Sequence, residues 1–268
     1  MKSTLFLKTF RVITCFTDTS CTKENDPPTN GLILYYTFDG NVNDFSGNDN
    51  NGINYTTSNY VTGIHGQALD FNGTSDYVQL SYTINSERGL SLSFWLKTRG
   101  VNGSENNGAI MSKYNMTSNL RCFLIRSFGY QNTRIDNNLS ATFFKYGYSS
   151  TISDDLKSYL ETDGLNIYPN PDLYTLSNPL HLEIGVWTHC VVNTTSTSLE
   201  IWLNGELCTK KEREYIKYFD SSDEPVFIGN IMSGADGSNN HLNGLLDELR
   251  IYSRGLTTDE IRTLFLYK

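Results

Sequence analysis

The first residues that could do chemistry are oxygen-bearing side chains that follow an apolar run near the N-terminus. The loop from residue 39 to 51 offers carboxylates and amides at Asp39, Asp44, Asn48, Asp49 and Asn50. Calcium takes about six to eight such oxygens, including backbone carbonyls, which neighbouring glycines allow to turn inward. The spacing does not match an EF-hand, and the same residues also suit ordinary Asx turns. The loop is therefore open to two interpretations, a calcium site and a set of turns.

The titratable residues match no catalytic pattern. Asp247 and Glu248 are adjacent, so on a regular strand their side chains would face opposite sides and would not flank one glycosidic bond. The four histidines do not form a His-Glu-x-x-His pattern, and there is no Gly-x-Ser-x-Gly elbow. We therefore predict that the protein is not an enzyme and assign no catalytic residues.

A second group of side chains suits a sugar. Tyrosine rings fit half-apolar ligands, and amides and carboxylates accept or donate hydrogen bonds to hydroxyl groups. The stretch from about residue 129 to 180 is dense in Tyr and Phe, and the run 234–241 is Gly-Ala-Asp-Gly-Ser-Asn-Asn-His. The alternatives are core packing for the aromatics and an ordinary turn for the polar run. The predicted ligand-binding residues are Tyr130, Tyr148, Asp236, Asn239 and Asn240.

These residues lie among short segments that predict β-strands. The chain has 268 residues with 21 Gly but only 6 Pro, and apolar, β-prone runs alternate with turn residues from Gly31 onward. Residues 90–97 begin with alternating apolar and polar side chains, as in a half-buried strand. Asn204-Gly205 predicts a tight hairpin turn, and Thr257 with Glu260 has the spacing of a capping box. We predict an all-β, two-sheet antiparallel sandwich with a short C-terminal helix.

The charge and the cysteine pattern argue against two classes of ligand, nucleic acid and zinc. A net charge of −8 and a pI near 5.0 leave no basic footprint for nucleic acid. Five cysteines without a Cys-x-x-Cys pair argue against zinc. Cys122, Cys190 and Cys208 lie in strand-like runs, either as buried free thiols or with one disulfide among them.

Residues 1–30 differ from the rest and are predicted to be a leader and tether. The apolar run Leu5-Phe6-Leu7 is short and is followed by Lys8. Cys21 followed by a polar segment resembles the start of a bacterial surface lipoprotein with a lipidated cysteine, although Asp18 stands where that pattern has Leu. The alternative is a disordered tail. No later stretch approaches the roughly 20 apolar residues of a transmembrane span.

Four blocks, in order, carry a wider resemblance. They are Tyr35–Gly40 with Asp44–Gly52, Gly66–Gly73 with Asp76–Val78, Leu92–Lys97 with Trp187–His189 and Leu203–Gly205, and Leu242–Tyr252 followed by the short terminal helix. Together they resemble the laminin-G-like jelly rolls of the concanavalin A-like lectin/glucanase superfamily. The resemblance implies one jelly-roll domain over residues 31–268, interrupted by an insertion at about 129–180.

The resemblance also implies a metal and a function. Similar domains often hold a structural calcium between the N-terminal loop and an Asp of the last strand, which matches Asp247. The predicted calcium ligands are Asp39, Asp44, Asn48, Asn50 and Asp247. Some relatives are glycosidases with a Glu-x-Asp-x-x-Glu strand, a pattern absent here. We predict a non-catalytic, extracellular module that binds carbohydrate or glycoconjugates at the bacterial cell surface, with an adhesive protein-binding module as the alternative and a cryptic glycosidase ranked last.

Overall fold

The predicted two-sheet antiparallel β-sandwich with a short C-terminal helix is confirmed. The computed structural model describes residues 26–57, 59–84, 89–100, 107–115, 120–128, 138–143, 165–167, 181–212, 224–231 and 241–267. Sheet I contains β1 (Leu32–Tyr36), β3 (Tyr60–Thr62), β4 (Gln67–Asn72), β6 (Ser91–Thr98), β11 (Thr188–Thr194), β12 (Ser198–Leu203), β13 (Glu206–Glu212) and β15 (Asn243–Tyr252). Sheet II contains β2 (Gly52–Asn54), β5 (Val78–Leu80), β7 (Asn107–Asn115), β8 (Leu120–Phe128), β9 (Asn138–Phe143), β10 (Leu165–Ile167) and β14 (Phe227–Ile228).

The two ends of the domain are far apart in sequence, but the strand order brings them side by side in sheet I. Sheet I runs β13-β12-β11-β6-β15-β4-β3, and β1 also pairs with β15. Sheet II runs β10-β9-β8-β7-β14-β5-β2. The main core lies between the sheets and draws on both, for example through Phe94 of β6, Ile125 of β8 and Leu246 of β15.

The outer face of sheet I is covered as well. Helix α1 (Thr258–Leu266) begins with the predicted capping box, in which Thr257 and Glu260 bond each other's backbone N–H groups. Its Ile261 and Leu264 pack with Tyr252 against this face in a second apolar cluster. Strand β6 is consequently buried on both faces, so the prediction of a half-buried strand was wrong there. The alternation of residue types within β6 could not indicate that helix α1, from the C-terminal end of the chain, covers the second face of this strand.

The hairpin between β12 and β13 forms where the sequence predicts it. Leu203 pairs with Glu206 across Asn204-Gly205, and both turn residues have positive φ, 51° and 79°. Asn and Gly tolerate this left-handed backbone, which fits the twist of a two-residue hairpin. The turn prediction is therefore confirmed.

Cys190 and Cys208 are free thiols. They lie on β11 and β13 with β12 between them. Two strand spacings amount to about 9.6 Å, beyond the Cα separation that a disulfide spans. The side chain of Cys122 lies outside the described residues, as do residues 1–25 with Cys21. Within the insertion predicted at 129–180, strands β9 and β10 extend sheet II beyond β8.

Candidate functional site

The N-terminal loop is held together by one carboxylate. Oδ1 of Asp44 accepts hydrogen bonds from the backbone N–H groups of Tyr35 and Ser46 at 2.9 and 2.8 Å. Its Oδ2 accepts from the Ser46 hydroxyl at 2.8 Å and from Asn50 N–H at 3.0 Å. Partial burial alone would raise the pKa of Asp44, but these four hydrogen bonds outweigh burial and lower it. Asp44 therefore acts as the acceptor that shapes this loop.

The two asparagines of the same loop attach it to β1. The Asn48 amide donates to the carbonyl of Leu32 at 3.0 Å, and the Asn50 amide donates to the carbonyl of Ile33 at 2.7 Å. Their side-chain carbonyls form no hydrogen bond to the residues that the structure describes. The loop thus places three predicted calcium ligands in one turn and uses them to bond the backbone.

Asp39 and Asp247, the other two predicted ligands, flank a different loop. Oδ1 of Asp39 accepts from Gln67 N–H at 2.7 Å. Oδ2 of Asp247 accepts from the N–H groups of Ile64 and His65 at 2.7 and 3.0 Å. A Cβ atom at Gly63 would collide with this Asp247 oxygen. The loop 63–67 therefore binds both carboxylates through its N–H groups, and residue 63 has to be glycine.

One oxygen of this arrangement is left over. Asp247 is fully buried, and its Oδ1 has no hydrogen-bond partner among the residues that the structure describes. Burial raises the pKa of Asp247 to about 7, against the lowering effect of the two N–H groups. A cation at Oδ1 would fit a carboxylate that is otherwise costly to ionise. Among the described residues, no three His, Cys, Asp or Glu side chains are grouped as a metal site would need, so calcium would also require amide and backbone oxygens.

The Asp247 carboxyl should give the metal-free protein a distinct pH dependence. The folded state holds this proton more tightly than the unfolded chain, so stability present at low pH is lost as the pH rises from about 4 through about 7. We expect Asp247→Asn, which keeps an acceptor for Ile64 and His65, to gain about 2–3 kcal/mol relative to wild type between about pH 5 and pH 8.

Urea unfolding of both proteins in chelator measures this difference. The comparison removes the opposite trend of His189, whose pKa burial lowers to about 3 and which costs stability in both proteins as the pH falls. Parallel pH profiles for the two proteins would show that Asp247 titrates normally.

Asp247 and Glu248 do not face opposite sides of β15, so that expectation was wrong. Both flanking residues, Leu246 and Leu249, belong to the main core. A bulge in the pairing with β6 and a positive φ of 53° at Glu248 leave two successive residues pointing outward.

Glu248, the second of these outward acids, is bonded to two neighbouring side chains. Glu248 accepts from the Tyr35 hydroxyl at 2.8 Å and from Arg250 at 2.7 Å. The Arg250 guanidinium lies 3.9 Å from the centre of the Tyr35 ring. Asp247 and Glu248 are buried, so they do not form a pair of carboxyl groups facing a cleft, as glycoside hydrolysis needs.

The predicted sugar-binding residues lie outside the described residues. Tyr130, Tyr148, Asp236, Asn239 and Asn240 all fall in this part of the chain, and their assignment stays a prediction.

An aromatic platform, formed by Tyr55 and Tyr77, lies at the β2 edge of sheet II. The two rings are stacked, with centroids 4.7 Å apart and an interplanar angle of 18°. The backbone N–H of Tyr55 donates to the carbonyl of Tyr77 at 3.0 Å. Behind them, the buried Phe227 of β14 meets Tyr77 edge-on at 5.7 Å. Tyr55 is held on its neighbours and yet remains 46% exposed.

Polar and apolar groups border the platform. Val78 and Leu80 point into the core, so Gln79 points outward like Tyr77. In the strand register Gln79 lies between Phe227 and the exposed Ile53. Its amide forms no hydrogen bond with any residue in the described ranges. The arrangement offers an exposed ring face next to a hydrogen-bonding amide.

The loop that carries Tyr55 is fixed from beneath. Oδ1 of the buried Asp76 accepts from the N–H and hydroxyl groups of Thr57 at 2.9 and 3.1 Å. The Asn54 side chain accepts from Thr56 N–H and donates to the Tyr60 hydroxyl at 3.2 Å. These bonds hold the backbone around Tyr55, and an aromatic ring held in this way loses little conformational entropy on binding.

Sequence reasoning did not find this platform. Tyr55 and Tyr77 are 22 residues apart, and β2 is a three-residue strand that no periodicity marks. The sequence signal that could have found it is the polar segment Asn54-Tyr55-Thr56-Thr57, which looks like a turn that places a tyrosine at the surface.

Solved structures share the fold at low sequence identity. Domain 4 of AbnA, a GH43 extracellular arabinanase from Geobacillus stearothermophilus solved with arabinotriose, aligns with a TM-score of 0.60 and 19% identity, over 87% of this chain and 97% of that domain. The binding domain of Paraclostridial Mosquitocidal Protein 1 aligns with a TM-score of 0.63 and 17% identity. The botulinum neurotoxin DC binding domain, solved with SialylT, gives 0.59 and 14%. Each toxin alignment covers 88% of this chain but only 52% and 51% of the toxin chains.

These solved structures are all less than 20% identical to the chain, so the matches establish the fold alone. No curated protein sequence matches the chain. In the described part of the chain, none of the helices has the length and hydrophobicity that a bilayer crossing requires. A family model described as the concanavalin A-like lectin/glucanases superfamily matches residues 72–262, which is more than half of the chain. The protein belongs to the laminin G branch of the concanavalin A-like lectin/glucanases superfamily.

Proposed function

We propose that this lectin-like module binds carbohydrate or glycoconjugates at a cell surface through the Tyr55–Tyr77 platform. The observation that carries the proposal is an exposed tyrosine ring, stacked on a second tyrosine, beside the amide of Gln79, which forms no hydrogen bond to a described residue. A pyranose or furanose ring presents C–H groups on one face and hydroxyl groups around its edge. An aromatic ring accepts the first and an amide bonds the second.

The fold relatives support the same class of ligand. The arabinanase domain was solved with arabinotriose and a neurotoxin domain with SialylT. The family also includes glucanases by its description, but the paired acids of β15 are buried and bonded. Binding without catalysis is therefore the proposed activity.

Calorimetric titration of the full chain with oligosaccharides that score in a glycan screen tests the proposal. We expect Tyr55→Ala to weaken binding by at least about tenfold, because an aromatic anchor at the centre of a site carries a large share of the affinity. Phe45→Ala is the matched control, since Phe45 is an exposed ring packed against a tyrosine on the other sheet. If Tyr55→Ala binds like wild type, or if no glycan binds, the platform is not a sugar site and an adhesive protein-binding role becomes the better proposal.

We also propose that a structural calcium binds the unpartnered Oδ1 of Asp247, with Asp39 on the other side of loop 63–67. A metal that binds only the folded state raises the melting temperature as its concentration rises above the dissociation constant. We expect calcium to raise, and chelator to lower, the melting temperature of wild type but not of Asp247→Asn. An identical calcium response in both proteins would remove Asp247 from the site.

The surface location and the lipid anchor are proposals that rest on the sequence of residues 1–30. Cys21 would carry the lipid and residues 22–30 would form the tether to the domain. Such an anchor would present the sandwich, with its glycan-binding platform, outside the cell.

A further inference from the structure

We infer that the Tyr55–Tyr77 platform selects uncharged glycans and discriminates against sialylated, sulfated or uronic-acid sugars. This inference rests on the proposed carbohydrate-binding function and adds the chemical class of the ligand. Anionic sugars are held by Arg or Lys, whose charge-assisted hydrogen bonds to carboxylate or sulfate are about twice as strong as neutral ones. No Arg or Lys is found among the described residues that form and border the platform.

The cations are missing over a long stretch of chain. Between Lys23 and Arg88 the sequence contains no Lys or Arg, although it holds 64 residues. This stretch supplies β2, the loop after it and β5, and therefore both stacked tyrosines and Gln79. The neighbouring strand β14 lies in the described segment 224–231, Glu-Pro-Val-Phe-Ile-Gly-Asn-Ile, which also has no Lys or Arg.

Asp76, an acid that lies beneath the platform, is not available to a ligand either. Asp76 is fully buried, and its two carboxylate oxygens accept from Thr57 and from Asn72 N–H. The ring of His241 is engaged below the loop, where its Nδ1 lies 3.3 Å from the carbonyl of Asp76. What faces outward is aromatic, aliphatic and amide, a surface for C–H groups and hydroxyls.

The overall charge acts in the same direction. At −8 the chain repels anions at long range, and salt screens this repulsion beyond about 10 Å. An uncharged sugar is neither attracted nor repelled by this net charge. The inference therefore separates this module from the neurotoxin binding domain solved with SialylT, whose fold it shares.

The experiment pairs oligosaccharides that differ only in charge. The full chain is titrated with arabinotriose, with a neutral lactose-type trisaccharide, and with sialylated and sulfated forms of the latter, at low and at high sodium chloride. We expect at least one neutral probe to bind more than about tenfold better than its charged counterparts. We also expect the affinity for that neutral probe to change less than about twofold with salt, because no ion pair forms.

Three variants test whether the preferred probe binds at the platform. Tyr55→Ala should abolish the preferred binding, Gln79→Ala should weaken it, and Phe45→Ala should leave it unchanged. A charged probe that binds more tightly than its neutral partner, and still needs Tyr55, would overturn the selectivity and leave the proposed function standing. If no probe binds, or if binding is indifferent to Tyr55, the proposed function itself fails and the inference with it.

Discussion

Replacing Arg250 with alanine is expected to lower the free energy of unfolding by about 3–5 kcal/mol, because it leaves the Glu248 carboxylate buried without its cation. Arg250 and Glu248 form an ion pair at 2.7 Å with side chains only 6% and 4% exposed. The substitution also removes the contacts that the guanidinium makes with the Tyr35 ring at 3.9 Å and the Tyr267 ring at 5.5 Å. Urea unfolding followed by tryptophan fluorescence measures the change.

Arg99→Ala is the matched control for the Arg250 variant. Arg99 makes an equally short ion pair with Asp70, but at the surface, where such pairs contribute about 0–1 kcal/mol. A second variant, Arg250→Ala with Glu248→Gln, should recover part of the loss because no unpaired charge is then buried. Equal effects of Arg250→Ala and Arg99→Ala would contradict the role given to burial.

Replacing Asn193 with alanine is expected to cost about 2–5 kcal/mol and to loosen the C-terminal segment from sheet I. The Asn193 amide donates to the Leu256 carbonyl at 3.1 Å, and its oxygen accepts from Leu256 N–H at 2.8 Å. The same side chain bonds Ser91 and Glu200. Alanine removes the partner of the Leu256 N–H and of the Leu256 carbonyl, at about 1–3 kcal/mol each where no water enters. Ser91 keeps its hydrogen bond to the Arg254 carbonyl, and Glu200 keeps the one from the Trp202 indole N–H.

Hydrogen exchange separates this effect from a general loss of stability. The Leu256 amide and the amides of helix α1 should gain more in exchange rate in Asn193→Ala than the loss of global stability accounts for. The core amides of β6 should exchange faster only by the factor that this loss predicts. Asn48→Ala, which removes bonds in an exposed loop, is the control and should cost less than about 1 kcal/mol. Unchanged exchange at Leu256 would show that the helix docks without Asn193.

The sequence predicted the parts of the fold that depend on local chemistry. The Asn204-Gly205 hairpin and the Thr257–Glu260 capping box need only neighbouring residues, and both are present. The two-sheet sandwich followed from strand-like runs and from the ordered family blocks. Burial of β6 on both faces depended on helix α1, which begins 160 residues after β6 ends. Alternation of residue types within one strand cannot indicate so distant a partner.

The candidate site was harder to predict for the same reason. Tyr55 looks like any exposed tyrosine until β2 pairs with β5 and brings it onto Tyr77. The bulge at Glu248 likewise depends on the partner strand β6. Asp247 was predicted because the family resemblance places an Asp in the last strand. The bonds of Asp44 to β1, in contrast, required the folded loop.

A crystal structure of the full chain with the tightest-binding neutral oligosaccharide tests the central claim most directly. We predict a sugar ring lying parallel to the exposed Tyr55 face, with a hydroxyl group bonded to the Gln79 amide. A sugar bound at the loop 234–241 or on the outer face of sheet I, with the Tyr55–Tyr77 platform bare, would contradict the assignment.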